Sequence, residues 1–239
     1  MNNRRTLIAA IVGGALLLGA AGLGIIYFVV FAGSSPQKLA LSSPTPSTSA
    51  STSPDSSTGA GTWTVGSGSQ AGYRVREKLA ALSAPSDAVG RTTAVTGTLT
   101  LTQASSGYSV TAANFTVDVS KLSSDQSRRD QRIHSQGLQS DRYPTATFTL
   151  TSPIALAADA GSGQTIHLSA TGDLTIHGVT KSVTIPIDAR LTGSTIELVG
   201  SIFFPFSQFG MTPPSIGGFV SVQNTATMEF QLLLTRQGA

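Results

Sequence analysis

The chain has 239 residues, 25 of them Gly and 11 Pro, with no Cys and a charged fraction of only 11%. Without cysteine there is no disulfide framework, no thiolate metal site, no cysteine nucleophile and no thiol to carry a lipoprotein anchor. The net charge of +3 does not signal nucleic acid, because from Thr62 onward twelve basic side chains face eleven acidic ones and a phosphate-tracking surface needs a dominant basic stripe.

Residues 1–5, with Arg4 and Arg5, precede an apolar run at 6–33 whose only ionisable group is Tyr27. About 20 apolar residues cross a bilayer as a helix, so the run predicts a transmembrane segment. The positive-inside bias puts residues 1–5 in the cytoplasm and the remainder on the periplasmic or cell-wall side of a single-pass membrane protein. A cleavable signal peptide is the competing reading, with Val30-Phe31-Ala32 as a small-residue cleavage site. Its apolar core would far exceed the roughly 7 to 15 residues usual for such peptides, which favours an uncleaved anchor. Residues 34–61 are dominated by Ser, Thr, Pro, Ala and Gly. Such a composition buries too little apolar area to offset its ordering entropy and predicts a disordered linker with an r.m.s. span of about 30 Å.

From Trp63 the pattern turns to short alternating runs at 72–76, 95–102, 110–119, 145–151, 166–176, 181–191, 195–204 and 219–235. Two-residue alternation predicts strands with one apolar face. The runs 166–176 and 181–191 read as a long hairpin turning at His177-Gly178-Val179-Thr180, and Pro186 marks a bulge or a local edge. About eight strands with little helix mean a sandwich or a barrel, and an eight-stranded barrel is either filled or holds one ligand. An outer-membrane barrel needs aromatic girdles, whereas aromatics are 6% of this chain.

The long interruption at 120–144 predicts a helix of about three turns, capped by Ser124 and stopped at Gly137. It carries Arg128, Arg129, Arg132 and His134, while Leu122, Ile133 and Leu138 would face the barrel mouth. One reading is a solvated plug with Asp125 and Arg129 paired at i,i+4. The other is that these basic groups meet an anionic or polar head group.

Three segments, SRRDQRIHSQGLQSDRYPTATFTL, ATGDLTIHGVTKSVTIPI and QFGMTPPSIGGFVSVQNTATMEFQLLL, resemble signature regions of the YceI-like domain family across residues 63–234, with LTIHGVTK the most specific. The resemblance implies a lipocalin-like antiparallel barrel enclosing a long tunnel for an amphiphile, typically a polyisoprenoid such as a quinone or a prenyl phosphate. The family often has Arg before the carboxy-terminal Phe-Gly; here the stretch reads Phe206-Ser207-Gln208-Phe209-Gly210.

The expected architecture is therefore mainly β: an eight-stranded antiparallel lipocalin-like barrel over 62–236 with a short helix or loop at one end, the linker 34–61 and the transmembrane helix 6–33. Candidate cavity-lining residues are Tyr73, Phe115, Phe148, Ile176, Phe203, Phe206, Phe209, Met211 and Phe219, each of which equally suits the core of a filled barrel. Arg128, Arg129, Arg132 and His134 are the candidate head-group contacts. A buried methylene is worth about 0.8 kcal/mol against water, but a lipid leaving a bilayer gains almost none of this, so selectivity must come from cavity shape and the head. No G-x-S-x-G, phosphate-binding glycine loop or H-E-x-x-H occurs, and His177 beside Gly178 reads as a turn residue. No cofactor is required beyond a bound isoprenoid lipid or quinone, and nucleic acid is not an expected partner. Two functions follow: a non-enzymatic, membrane-tethered carrier of an isoprenoid, or a ligand-free structural or protein-interaction domain on a stalk.

Overall fold

The computed structural model describes residues 35–43, 59–79, 86–104, 107–216 and 220–237. The apolar run 6–33 lies outside them, and no described helix is long and apolar enough to cross a membrane. The chain divides into the units Met1–Pro36 and Gln37–Ala239, and the fold below is that of the second.

Its strands are β1 (Gly61–Val65), β2 (Gln70–Leu79), β3 (Ser86–Thr92), β4 (Val95–Ala104), β5 (Gly107–Asp118), β6 (Thr145–Leu150), β7 (Ile154–Leu156), β8 (Ile166–Ile176), β9 (Val179–Thr192), β10 (Thr195–Pro205), β11 (Ser215–Ile216) and β12 (Val220–Arg236), with a helix α1 (Ser127–Arg132) between β5 and β6. The order β1-β4-β5-β6-β8-β9-β10-β12 closes on itself because β12 also pairs with β1, Leu234 opposite Val65. The result is a closed eight-stranded antiparallel barrel, which removes the sandwich alternative. The 17 residues of β12 serve two partners in succession, β2 from Val220 to Gln231 and β1 from Leu234 to Arg236. Strands β1 and β2 thus share one stave, as do β3 and β4. Full closure leaves no exposed sheet edge along the part of the wall that is completely paired.

The β8–β9 hairpin is tighter than its sequence implies. Ile176 pairs directly with Val179, and His177 and Gly178 both have positive φ, 53° and 71°. Two such residues make the type I′ turn that matches the strand twist. Val179 and Thr180, expected in the turn, therefore belong to β9.

Pro186 marks a local edge. The β9–β10 ladder ends at Ile187 opposite Gly200, so the missing N–H of Pro186 falls where β9 has already left β10. Towards the helical end the two strands diverge. The 3₁₀ turn Phe206–Phe209 lies against β9, β10 and β12, with Phe209 fully buried and edge-on to Phe204 at 4.9 Å.

Residues 37–43 fall inside the predicted linker, yet they lie on the outer wall of the barrel. Ser42 N and Oγ donate to Glu197 Oε1 at 2.9 Å each, and Gln231 Nε2 donates to the Ala40 carbonyl at 3.1 Å. The compositional argument fails here because it counts the segment's own apolar area and not the hydrogen-bonding groups that a neighbouring wall supplies.

Candidate functional site

Alternation along each strand decides what the barrel encloses. Tyr73 and Val75 on β2, Val117 on β5, Ala146 on β6, Ile176 on β8, Phe204 on β10 and Met228 on β12 turn inward around a cavity of about 90 Å³. Leu122, Ile133 and Leu138 roof it from the β5–β6 connection, as their positions predict, and Phe206 and Met211 close its flank. A second cavity of about 70 Å³ is walled by Phe115, Phe148, Leu174, Ile185 and Phe230. The two share Ala71, Val117, Ala146 and Met228, so they are successive chambers along the barrel. A third, of about 290 Å³, lies among Trp63, Leu99, Tyr108, Val110, Ile166 and Leu168 and meets the second at Leu198. The walls of the first two are almost wholly apolar.

The barrel stays hollow because its large rings lie along the wall instead of across the lumen. A Cβ on Gly90 would stand 2.3 Å from the Tyr73 ring, one on Gly97 2.6 Å from Phe115, one on Gly172 2.5 Å from Phe148 and one on Gly200 2.5 Å from Phe230. Each ring occupies the space that a side chain on the neighbouring strand would fill, a cross-strand aromatic–glycine arrangement.

The cap is tied down by polar contacts. Arg129 Nε and Nη2 donate to the two carboxylate oxygens of Glu77 at 3.2 and 3.1 Å, and Nη1 donates to Asp125 and, at 3.3 Å, to Ser124 Oγ. Burial works against the guanidinium charge, but the Glu77 and Asp125 contacts outweigh it and hold its pKa above the ordinary value. Asp130 accepts from Ser124 N at 2.9 Å and Oγ at 2.6 Å. His134 Nε2 donates to the Leu122 carbonyl at 3.0 Å, which leaves Nδ1 to accept from Ser140 Oγ at 2.7 Å. Arg129 and His134 therefore hold the cap in place, whereas Arg128 and Arg132 are exposed.

Several expectations are corrected. The predicted three-turn helix is α1 followed by a π-turn at Ile133–Gly137. Its N-cap is Gln126, without a side-chain cap bond, because Ser124 is engaged with Asp130. Phe203 faces solvent and is 68% exposed: it stands opposite Thr227, and its neighbour Phe204 takes the inward place. Phe209 fills the divergence of β9 and β10 and is not among the wall residues of the three chambers. Phe219 lies outside the described residues. Of the other candidates, Tyr73, Ile176, Phe206 and Met211 line the first chamber and Phe115 and Phe148 the second. Leu174, Ile185, Met228 and Phe230 were not singled out, although their alternation phase marks them as inward.

Beside the first chamber the Tyr73 hydroxyl is buried and makes no hydrogen bond among the described residues. The nearby Ser124 hydroxyl already donates to Asp130 and accepts from Gln126 N and Arg129. Burial, above all, raises the Tyr73 pKa well beyond the ordinary phenol value, so the group is a neutral donor at any physiological pH. Among the described residues no group of three or more His, Asp and Glu is placed to hold a metal.

The family model of the YceI-like domain matches residues 63–234. The chain belongs to the YceI-like domain family. Among curated relatives of this YceI-like chain, a UPF0312 protein of Vibrio campbellii is 39% identical over 82 residues, covering 34% of this chain and 39% of that one. Protein YceI of Shigella flexneri is 37% identical over 81 residues, covering 34% and 37%. The aligned part of the chain thus spans well under half the length of these relatives. Among solved structures, a polyisoprenoid binding domain from Saccharophagus degradans implicated in plant cell wall breakdown superposes with a TM-score of 0.54 at 12% identity, over 74% of this chain and 99% of that one. That likeness is one of fold.

Proposed function

We propose that this YceI-like protein is an extracytoplasmic, membrane-tethered barrel that sequesters or carries a polyisoprenoid amphiphile without chemistry. The observation that carries the reading is the run of apolar chambers in series, kept open by aromatic rings laid against glycines. A linear hydrocarbon chain suits such a space better than a compact ligand does. Polyisoprenoid binding named for the Saccharophagus neighbour, whose fold this chain shares, supports the same class. The anchor 6–33 supplies the tether, and its flanking charges set the barrel on the outer side.

The groups around the first chamber favour a neutral head. Arg129 is committed to Glu77 and Asp125, so it offers a phosphate little unspent charge. The Tyr73 hydroxyl, a protonated donor without a partner among the described residues, suits the carbonyl oxygen of a quinone or a comparable neutral acceptor. Burial without a partner costs about 1–3 kcal/mol that a ligand acceptor would recover.

The test is organic extraction of the purified full chain followed by mass spectrometry, with Tyr73→Phe in parallel. A co-purified isoprenoid with a neutral head, bound more weakly by Tyr73→Phe, is the expected result. Release of a prenyl phosphate whose binding weakens with salt would overturn the assignment of the head. Absence of any amphiphile, with none taken up on addition, would leave the stalked structural domain as the function.

A further inference from the structure

The outer wall formed by β9, β10, β12, β2 and β3 buries charge on a face that alternation assigns to solvent. Glu197 and Glu229 are only 5% and 3% exposed. Each is held by an arginine, Glu229 by Arg91 at 2.8 Å and Glu197 by Arg190 at 3.2 Å. Between the two pairs lies Gln231, whose Oε1 accepts from Gln70 at 3.1 Å and whose Nε2 donates to Glu197 at 2.7 Å. Gly72 makes the first pair possible. It stands opposite Arg91 on one side and Glu229 on the other, and a Cβ there would lie 2.8 Å from Arg91 Cγ. Its bare backbone is the floor over which Arg91 reaches Glu229.

Residues 37–43 run across this row. Arg91 donates to the Gln37 carbonyl, Gln231 to the Ala40 carbonyl at 3.1 Å, and Arg190 to the Ser42 carbonyl. All three bonds go to main-chain oxygens, which an extended segment of any sequence offers. At one position the match is more exacting. Ser42 gives both its N–H and its hydroxyl to Glu197 Oε1, at 2.9 Å each, while its carbonyl takes Arg190. Every polar group of a single serine is thus met by one buried ion pair. A carboxylate that takes both donors separates serine from alanine, which offers one of them, and from proline, which offers neither.

We propose that this face is a peptide-recognition groove, separate from the lumen, for an extended segment that carries serine over Glu197, and that residues 37–43 occupy it in cis and so mask it. The partner is defined by its chemistry: main-chain carbonyls spaced as those of Gln37, Ala40 and Ser42, with a hydroxyl at the last of the three. The wall is ready to receive it, because Glu197 and Glu229 are already held by their arginines and Gln231 by Gln70. Binding then orders the peptide alone, which keeps its entropic cost low. Affinity comes from the main-chain bonds and selectivity from the serine, the division of labour found where extended peptides dock on sheets.

The test uses the purified full chain and an end-capped peptide of the sequence 37–43, labelled through the exposed Lys38 and followed by fluorescence anisotropy. A segment on the same chain competes at an effective concentration on the order of millimolar, so the parent should bind the peptide weakly. Ser42→Pro in the chain removes both donors of the cis segment and leaves the wall untouched. It should strengthen binding of the peptide about tenfold or more. The peptide carrying Ser42→Ala should bind this opened chain about tenfold more weakly, the worth of one hydrogen bond to a charged acceptor. Adding Glu197→Gln to the opened chain should give a similar loss, with melting curves to establish that the barrel remains folded. The change made in the peptide cannot act through the folding of the barrel.

Absence of binding to the folded Ser42→Pro chain overturns the groove. Equal binding to the parent and the opened chain overturns the masking, and equal affinity of the two peptides overturns the reading of serine. A parent that is dimeric and becomes monomeric with Ser42→Pro would place the segment of a second copy in the groove and overturn its occupation in cis.

Discussion

Ala146 is the position at which the carrier reading is most exposed to test. It is 6% exposed and belongs to both the first and the second chamber, so any chain passing from mouth to interior must cross it. Ala146→Leu adds three carbons at this neck. Filling a void of about 90 Å³ recovers about 24 cal/mol per Å³, or about 2 kcal/mol, if the side chain fits. Crowding against Val117 and Met228 takes back about 1–3 kcal/mol. The net change in stability of the empty protein is therefore about 1 kcal/mol or less in either direction, and for a unit of this size that moves the melting temperature by about 2–4 °C. Ligand content should instead collapse, because the lumen is obstructed where it is narrowest. The assay is the ratio of extracted isoprenoid to protein for the parent, Ala146→Leu and the outward-facing control Thr184→Leu. Full ligand content in a folded Ala146→Leu would refute a continuous path between the chambers.

Gly200→Ala should displace the Phe230 ring, which would lie 2.5 Å from the new Cβ, and press on the Pro186 carbonyl at 2.9 Å. A loss of about 1–3 kcal/mol with reduced ligand content is expected in denaturant titration and extraction, and an unchanged midpoint would show that the ring has room to move. Arg129→Ala leaves Glu77 without its charged donor and should cost about 2 kcal/mol, while exposed Arg128→Ala should stay within about 0.5 kcal/mol; equal effects in thermal melts would contradict the cap described above. Burial opposes the charge of Glu197, yet hydrogen bonds from Gln231 and Ser42 and the charge of Arg190 hold its pKa below the ordinary carboxylate value. The unfolded chain then binds the proton more readily, so this contribution is complete above the ordinary Glu pKa of about 4.3 and is lost as pH falls through the lower folded value. Melting temperature followed from pH 7 downward should fall more steeply for the parent than for Glu197→Gln, and parallel curves would exclude a role for this carboxylate.

The barrel was legible because strands such as β4, β6, β8 and β9 alternate with a two-residue period, and the same phase marks Ile176, Phe148 and Met228 as inward. Strand β3 was not. Its inward places are taken by Ala88, Gly90 and Thr92, small because the Tyr73 ring lies over Gly90, and its outward Val89 is only 4% exposed. A strand with small residues inside and a buried Val outside has the reverse of the expected contrast, so periodicity cannot find it. Phe203 misled for a related reason. The density of Phe residues at 203–209 suggested a cavity lining, whereas the phase of Glu197, Val199 and Ser201 already assigned 203 to the outer face. The cap arginines were located correctly, but residue type alone could not reveal that Glu77, 52 positions away from Arg129, absorbs the charge that a ligand would need.

These features share a cause in how the chain allots its interior and exterior surfaces. Voids of about 90 and 70 Å³ forgo about 2 kcal/mol each in packing, a sizeable fraction of the 5–15 kcal/mol by which domains are usually stable. A barrel that simply needed to fold would have used larger residues at Ala71 and Ala146, which border both chambers. The lost cohesion is offset outside the lumen, where Val199, Glu197 and Glu229 are buried on the outward phase of β10 and β12 and residues 37–43 bond to Arg91, Gln231, Arg190 and Glu197. Stabilising the barrel from without permits it to remain open within, which links the segment 37–43 to the chambers and makes its removal a perturbation of the lumen as well as of the outer wall.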